Sequence, residues 1–278
     1  MSKVLVTGAS SYAGAKIYTD LQSHLEVVGT YYTHQLFPEL IKLDLTKPSE
    51  VETVLTNIKP EVIVHVANHS SGSWCKKHPQ ETEQLNYQAT QTLVDLANKL
   101  AAQLIYISSF APLNTPPGTD IYADSKMNAE KYINQTSNNY VIVQPSEIYG
   151  WSPNTTNDRP FNRLLKNIHN HENGAYDNFW QFQPTYLKHL SEVIAAVITK
   201  KISGQTIPVA VHKKVTRYEL AKDLFKAFDL QVEPIDENRG SNTFQDNLEK
   251  LNELHLPTYT YDQVIEEIIQ EIKEHHGQ

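Results

Sequence analysis

The sequence predicts an α/β fold: a doubly wound parallel sheet of the Rossmann type with a smaller C-terminal α+β lobe. Three observations point there. The apolar run Lys3-Val-Leu-Val-Thr7 leads through a glycine-containing turn into a helical stretch. Short apolar runs then alternate with helical segments of ten or more residues, the period of βαβ units. Beyond Gly150 the alternation stops, and residues 151–182 are rich in Asn, His and aromatics, as expected of a pocket-shaping lobe. The expected division is a dinucleotide-binding domain over 1–150 and a substrate lobe over 151–278, with part of about 184–212 packing back on the first.

Each element follows from local pattern. After Lys3–Thr7 comes the turn Gly8-Ala-Ser-Ser-Tyr-Ala-Gly14, then a helix to about Ser23 and a strand over Leu25–Thr30. A helix over Pro48–Ile58 precedes Glu61-Val-Ile-Val-His-Val-Ala67, whose unbroken apolar character suits a parallel strand covered on both faces. A helix from about Pro79 to Leu100 precedes the strand Gln103–Ser108, and a helix over Ile121–Gln135 precedes the strand Tyr140–Gln144. In the second half, a helix from about Leu187 to Lys201 leads to a strand over Gln205–Val211. Thr216-Arg-Tyr-Glu219 and Thr260-Tyr-Asp-Gln263 read as capping boxes, each opening a helix with an apolar stripe.

Composition narrows the function classes. At 278 residues the chain buries one large core, or one core and a closing lobe. With 32 acidic against 24 basic residues, a formal charge of -8 and no long Lys/Arg cluster, nucleic acid is a poor partner. No segment approaches the roughly 20 apolar residues of a membrane span, and the N-terminus shows no cleavable signal pattern, so a cytoplasmic protein is expected. Cys75 is the sole cysteine, which excludes an internal disulfide and a thiolate metal cluster. The histidine pairs at 169/171 and 275/276 lack a carboxylate or cysteine at ligand spacing, so no metal is expected.

Tyr122-Ala-Asp-Ser-Lys126 carries the chemistry. Residues four apart share a helix face, so a phenol and an ammonium can enter one cleft, and a nearby cation favours the phenolate. That pairing suits proton transfer. The N-terminal turn adds a pyrophosphate site at a helix N-terminus, using Gly8, Ser10, Ser11, Tyr12 and Gly14.

Thr7-Gly-Ala-Ser-Ser-Tyr-Ala-Gly14 resembles the T-G-x-x-G-x-x-G turn of the extended short-chain dehydrogenase/reductases, with Ser11 in place of the middle glycine. Ile105-Tyr-Ile-Ser-Ser109 resembles the same family's strand-end Ser-Ser or Ser-Thr, and Leu85-Asn-Tyr-Gln-Ala-Thr90 its L-N-x-x-x-T helix. Together with Lys59–Ala67, Gln183–Leu190 and the Arg239-Gly-Ser-Asn-Thr243 region, the chain is similar to dTDP-4-dehydrorhamnose reductases and to the regulatory beta subunit of methionine adenosyltransferase. The resemblance implies that Ser109 holds a substrate carbonyl, Tyr122 donates the proton, Lys126 binds the nicotinamide ribose, and Asn86 orders the proton relay. By the same resemblance Asp44 contacts adenine, while Leu45, Ala67, Asn68, Pro145, Ser146 and Ile148 line the cofactor groove. Trp180 and Gln181 are candidate substrate contacts.

The implied activity is an NAD(P)H-dependent reductase of a keto-sugar nucleotide or related carbonyl compound. Two alternatives stand beside it, a cofactor-binding regulatory protein with little catalysis and a sugar-nucleotide epimerase. Phe110-Ala-Pro-Leu113 replaces the Asp-Tyr-Val-Phe usual in the reductase branch, and Gln144 stands where Arg is frequent. The lack of acidic residues after Ser109 argues against dehydration. Thr30-Tyr-Tyr-Thr-His34 carries no carboxylate for the adenosine ribose, so NADP(H) is preferred over NAD(H), with Thr30, Tyr31 and His34 as candidate contacts. Dimers are common among such relatives, which makes a homodimer a candidate assembly.

Overall fold

The computed structural model describes residues 3–238 and 242–275. Lys3–Thr7 (β1), Glu26–Tyr31 (β2), Ile41–Lys42 (β3), Val62–His65 (β4), Gln103–Ile107 (β5), Tyr140–Pro145 (β6) and Gln205–Val209 (β7) form one sheet. Its order is β7-β6-β5-β4-β1-β2-β3, parallel throughout. The chain winds outward from β1 to β3, then crosses back to lay β4 on the other side of β1. That reversal opens a crevice at the C-terminal ends of β1 and β4, where this class of sheet binds ligands.

The continuous apolar runs are explained by burial on both faces. Val4, Val6, Val64, Ile105, Ile107, Val141 and Val143 point into one core, packed by Tyr12–Gln22 (α1) and Leu187–Lys200. Leu5, Ile63, Leu104, Tyr106 and Ile142 point into the other, under Pro48–Ile58 (α2), Ala89–Leu100 (α3) and Ile121–Thr136 (α4). Helix ends obey local chemistry. Pro48 sits in the first turn of α2, and Asp120 caps α4 by accepting the Ala123 N–H at 2.8 Å. Both capping boxes, at Thr216/Glu219 and Thr260/Gln263, are closed.

The second half departs from expectation in detail. Residues 151–182 contain a helix, Pro160–His169, burying Phe161, Leu164, Leu165 and Ile168, and a strand, Gly174–Asp177, paired in parallel with Val232–Ile235. Few aliphatics occur there, but they fall at helical spacing, so one stripe suffices to dock the segment. Gly72–Lys77 and the edge strand β3 were equally hidden by their shortness. The segment Pro79–Leu100 is helical throughout, with a π-helical stretch over Glu83–Gln88. Arg239, Gly240, Ser241 and His276, singled out in the sequence, lie outside the described residues. Among the described residues no helix is long and apolar enough to cross a membrane, and no cluster of three or more metal-ligating side chains occurs.

Candidate active site

The glycine turn is held by contacts that only glycine permits. Gly8 has φ +67°, and a Cβ there would stand 3.0 Å from Ala67 at the end of β4. A Cβ on Gly14 would lie 2.1 Å from the Gly8 carbonyl oxygen. Ser11, in the middle position, turns its hydroxyl inward: its Oγ accepts the Gly14 N–H at 3.1 Å and caps α1. The Ser10 Oγ accepts the Leu36 N–H at 3.2 Å, fixing the loop beyond β2 against the turn. Thr30 is buried and its carbonyl accepts the Ala9 N–H at 2.8 Å, whereas Tyr32 to Leu36, including His34, are exposed. Asp44 is satisfied locally, its Oδ1 accepting from Thr46 N at 3.0 Å and Thr46 Oγ1 at 2.7 Å; the next residue, Leu45, is buried in the core.

Beneath the crevice runs a buried polar chain absent from the sequence expectation. Thr7 Oγ1 lies 2.8 Å from His65 Nδ1, His65 Nε2 lies 3.1 Å from Thr90 Oγ1, and Thr90 donates to the Asn86 carbonyl at 2.9 Å. Burial drives the His65 pKa down to about 3, so the ring is neutral and purely a connector. Its signal was a lone polar residue inside Val62-Ile-Val-His-Val66.

Ser109, Tyr122 and Lys126 converge at the ends of β5 and β6. The flanking N–H groups of Ser108 and Phe110 donate to the Val143 and Pro145 carbonyls at 2.7 and 2.9 Å, which clamps Ser109 beside the Pro145-Ser146 stretch. The Ser109 hydroxyl accepts the Ala111 N–H at 3.1 Å and stands close enough to the Tyr122 phenol to lower its pKa. One turn along α4, Lys126 is buried, with Nζ donating to the Ile107 carbonyl at 2.8 Å and lying 4.6 Å from the Tyr106 ring centroid.

The electrostatics correct one expectation. Burial pushes the Tyr122 phenol up to about 12, opposed by the nearby Ser109 hydroxyl and the Arg159 charge. Burial also depresses Lys126 to about 7, against the pull of Glu130. An amine that is half discharged and turned onto a carbonyl exerts little field on the phenol, so desolvation decides the direction. At neutral pH Tyr122 is therefore a protonated donor. Glu130 accepts from Ser108 Oγ and from Gln144 Nε2, the latter at 2.9 Å, so Gln144 serves the carboxylate beside Lys126. Glu130 was overlooked although it follows Lys126 at i+4.

Asn86 braces the site. Its side chain accepts from His69 N and donates to His69 O, both at 2.8 Å, and donates to Ser125 Oγ at 3.2 Å, linking the loop after β4 to the Tyr122 helix. Ser125, adjacent to Lys126, is thus a supporting residue the motif alone did not reveal. Asn68 donates to the Val66 carbonyl at 2.9 Å, while Asn68 Oδ1 and Ser70 Oγ are buried without a protein partner. Two orphaned polar atoms on the segment that follows Ala67, itself against Gly8, fit a groove that receives a polar ligand such as a dinucleotide.

The lobe supplies the opposite wall. Ser146 N donates to Thr185 Oγ1 at 2.8 Å, and Ile148 pairs with Thr185. Trp180 stacks on Phe182 at 4.8 Å between centroids, and the Arg217 guanidinium lies 5.8 Å from the Trp180 ring. Gln181 N donates to Asn242 Oδ1 at 3.0 Å and its carbonyl accepts the Thr243 N–H at 3.0 Å. Asn114, at the end of the short helix Ala111–Asn114 that follows Ser109, donates to the Phe244 carbonyl at 3.2 Å, so that helix and the strand Gln181–Phe182 meet through the 242–244 segment.

A family model described as the RmlD substrate binding domain matches residues 2–247. Methionine adenosyltransferase 2 subunit beta from Bos taurus is 24% identical over 243 residues, spanning 82% of this chain and 72% of that protein. The decarboxylating sterol-4-alpha-carboxylate 3-dehydrogenase of Candida albicans is 25% identical over 269 residues, spanning 81% and 75%. Among solved structures, dTDP-4-dehydrorhamnose reductase from Bacillus anthracis in complex with NADP superposes with TM-score 0.82 at 21% identity, covering 98% of this chain and 99% of that one. UDP-glucose 4-epimerase from Thermus thermophilus in complex with NAD gives TM-score 0.83 at 17% identity, with the same coverages.

Proposed function

Because the chain belongs to the RmlD substrate binding domain family, we propose that it is a nicotinamide-dependent reductase acting on the carbonyl of a keto-sugar nucleotide or a related compound. What carries this reading is the placement of Ser109 just beyond the end of β5 and of Tyr122 and Lys126 one turn apart on α4, with Lys126 Nζ on the Ile107 carbonyl two residues before Ser109. A carbonyl oxygen arriving there meets two hydroxyl donors, one orienting it and one able to give up its proton.

A dihydronicotinamide held in this groove would supply the hydride that reduces the carbonyl carbon. Tyr122 transfers its phenolic proton to the carbonyl oxygen, so the product is an alcohol and the phenolate is left to be reprotonated. Lys126, one turn away, would offer its amine to a ribose hydroxyl of the cofactor. Gly8, Ser10, Tyr12 and Gly14 shape the pyrophosphate end, and Ala67, Asn68, Pro145, Ser146 and Ile148 flank the nicotinamide end. The absence of a carboxylate at the end of β2 supports NADPH over NADH.

The test is reduction of a panel of nucleotide-linked keto-sugars by wild type and Tyr122→Phe, with binding of NADPH and NADH measured separately. Turnover by wild type, lost in the variant with NADPH affinity nearly unchanged, is the expected result. Equal turnover in the variant removes Tyr122 from the mechanism. A second reading has its own support: Lys126 is buried on the Ile107 carbonyl, which suits a cofactor-binding protein with little catalysis. Stoichiometric NADPH binding without oxidation across the panel, together with a stable protein partner, favours that reading.

A further inference from the structure

The segment from Gly150 to Asn162 is stitched onto the glycine turn rather than left as a free lobe loop. The Tyr12 phenol donates to the Gly150 carbonyl at 2.5 Å, Ser152 Oγ donates to the Tyr12 carbonyl at 2.6 Å, and Asn154 Nδ2 donates to the Ser10 carbonyl at 2.6 Å. Asn154 Oδ1 gathers the Thr156 and Asn157 N–H groups at 3.1 and 3.2 Å, and Asn162 Nδ2 donates to the Asn154 carbonyl at 3.1 Å. Ser152, Asn154 and Asn162 are all buried, so these bonds are sheltered from water. Phe161 packs against Tyr12 with 6.4 Å between ring centroids.

This scaffold fixes where Arg159 stands. Arg159 lies between Asn154, bonded to the Ser10 carbonyl, and Phe161, packed on Tyr12, so its half-buried side chain belongs to the wall of the glycine turn, and its charge lowers the pKa of both the Tyr12 and the Tyr122 phenols. The other two described arginines are ion-paired: Arg163 with Asp158 at 3.2 Å, and Arg217 with Glu147 and Glu237. Arg159 has no carboxylate partner among the described residues. The one carboxylate that also acts on Tyr12, Glu271, is taken up by Trp151 N and the Tyr186 hydroxyl, both at 2.9 Å. A half-buried cation in a protein of net charge -8, carried on an anchored loop and without a carboxylate partner among the described residues, is free to receive an anion that arrives from outside.

We propose that Arg159 is an anion-binding residue of this site, its guanidinium receiving a phosphate of the diphosphate-bearing ligand that spans the glycine turn and Tyr122. The proposal rests on the dinucleotide reading of the groove given above. A planar fork of donors matches two phosphate oxygens at once, which a lysine does not. The diphosphate belongs either to the cofactor or to a nucleotide-linked substrate.

The experiment is calorimetric titration of wild type, Arg159→Gln and Arg159→Lys with NADPH, and separately with dTDP and UDP, at two salt concentrations, after thermal unfolding shows that the variants fold. Arg159→Gln is expected to bind at least one probe about 10- to 100-fold more weakly with a flatter salt dependence, and Arg159→Lys to recover part of the loss. A loss confined to NADPH assigns the cofactor diphosphate, and a loss confined to dTDP or UDP assigns the substrate's. If wild type binds these probes and Arg159→Gln binds them equally well, the inference fails while the dinucleotide reading stands. If wild type binds none of them, both fall.

Discussion

Glu130 lies one helical turn beyond Lys126, and its carboxylate is held by neutral groups, the Ser108 hydroxyl and the Gln144 amide. Each of the two residues therefore feels the other's charge directly, Glu130 raising the Lys126 pKa and Lys126 lowering that of Glu130. Burial acts against both charges. The amine beside the cofactor groove owes what charge it keeps near neutral pH to this carboxylate.

Glu130→Gln removes that support with little change in shape. The Lys126 pKa falls further below about 7, so any ligand contact that requires the ammonium is lost at lower pH. NADPH affinity measured from pH 6 to 8 is expected to decline at a pH lower in the variant by on the order of one unit. Superimposable profiles mean that Glu130 does not set the charge on Lys126.

Two buried histidines make acid stability predictable in sign. His65 and His189 have folded pKa values lowered by burial to about 3 and about 4, below the ordinary 6.5. Between those values and 6.5 the unfolded chain binds more protons than the folded one, so stability falls as the pH drops through this window. At pH 5 His65 alone costs about 2 kcal/mol. Urea midpoints should fall from pH 7.5 to pH 5, and less steeply in His65→Gln. An equally steep fall in that variant assigns the acid sensitivity elsewhere.

Arg217 joins the lobe to the strand ends through a bidentate pair with Glu147, its Nε donating at 2.7 Å, and the Tyr149 hydroxyl donates to the same carboxylate at 2.5 Å. Both charges are largely shielded, with 12% and 16% of their side-chain surface exposed. Truncating one partner leaves the other desolvated and unpaired. Arg217→Met is expected to cost about 3 kcal/mol in urea unfolding, and Glu147→Gln in the same chain to restore part of it. Strictly additive losses mean that the pair is not coupled.

The sequence by itself determined the layered sheet, the glycine turn and the order of the chemical residues, because these rest on local causes. Continuous apolar runs demand burial on both faces, Gly8 and Gly14 demand close backbone approach, and the Tyr122-to-Lys126 spacing places two groups on one helix face. The Thr216 and Thr260 capping boxes were legible for the same reason. Only the tertiary structure decided how those groups are charged and what supports them. Burial sets the Tyr122 pKa against Ser109 and Arg159, Ser11 is consumed as a helix cap, and Asn86 braces His69 and Ser125. The loop that carries Arg159 is anchored to residues about 140 positions earlier in the chain. Desolvation and long-range anchoring depend on what packs around a group, and no periodicity along the chain encodes them.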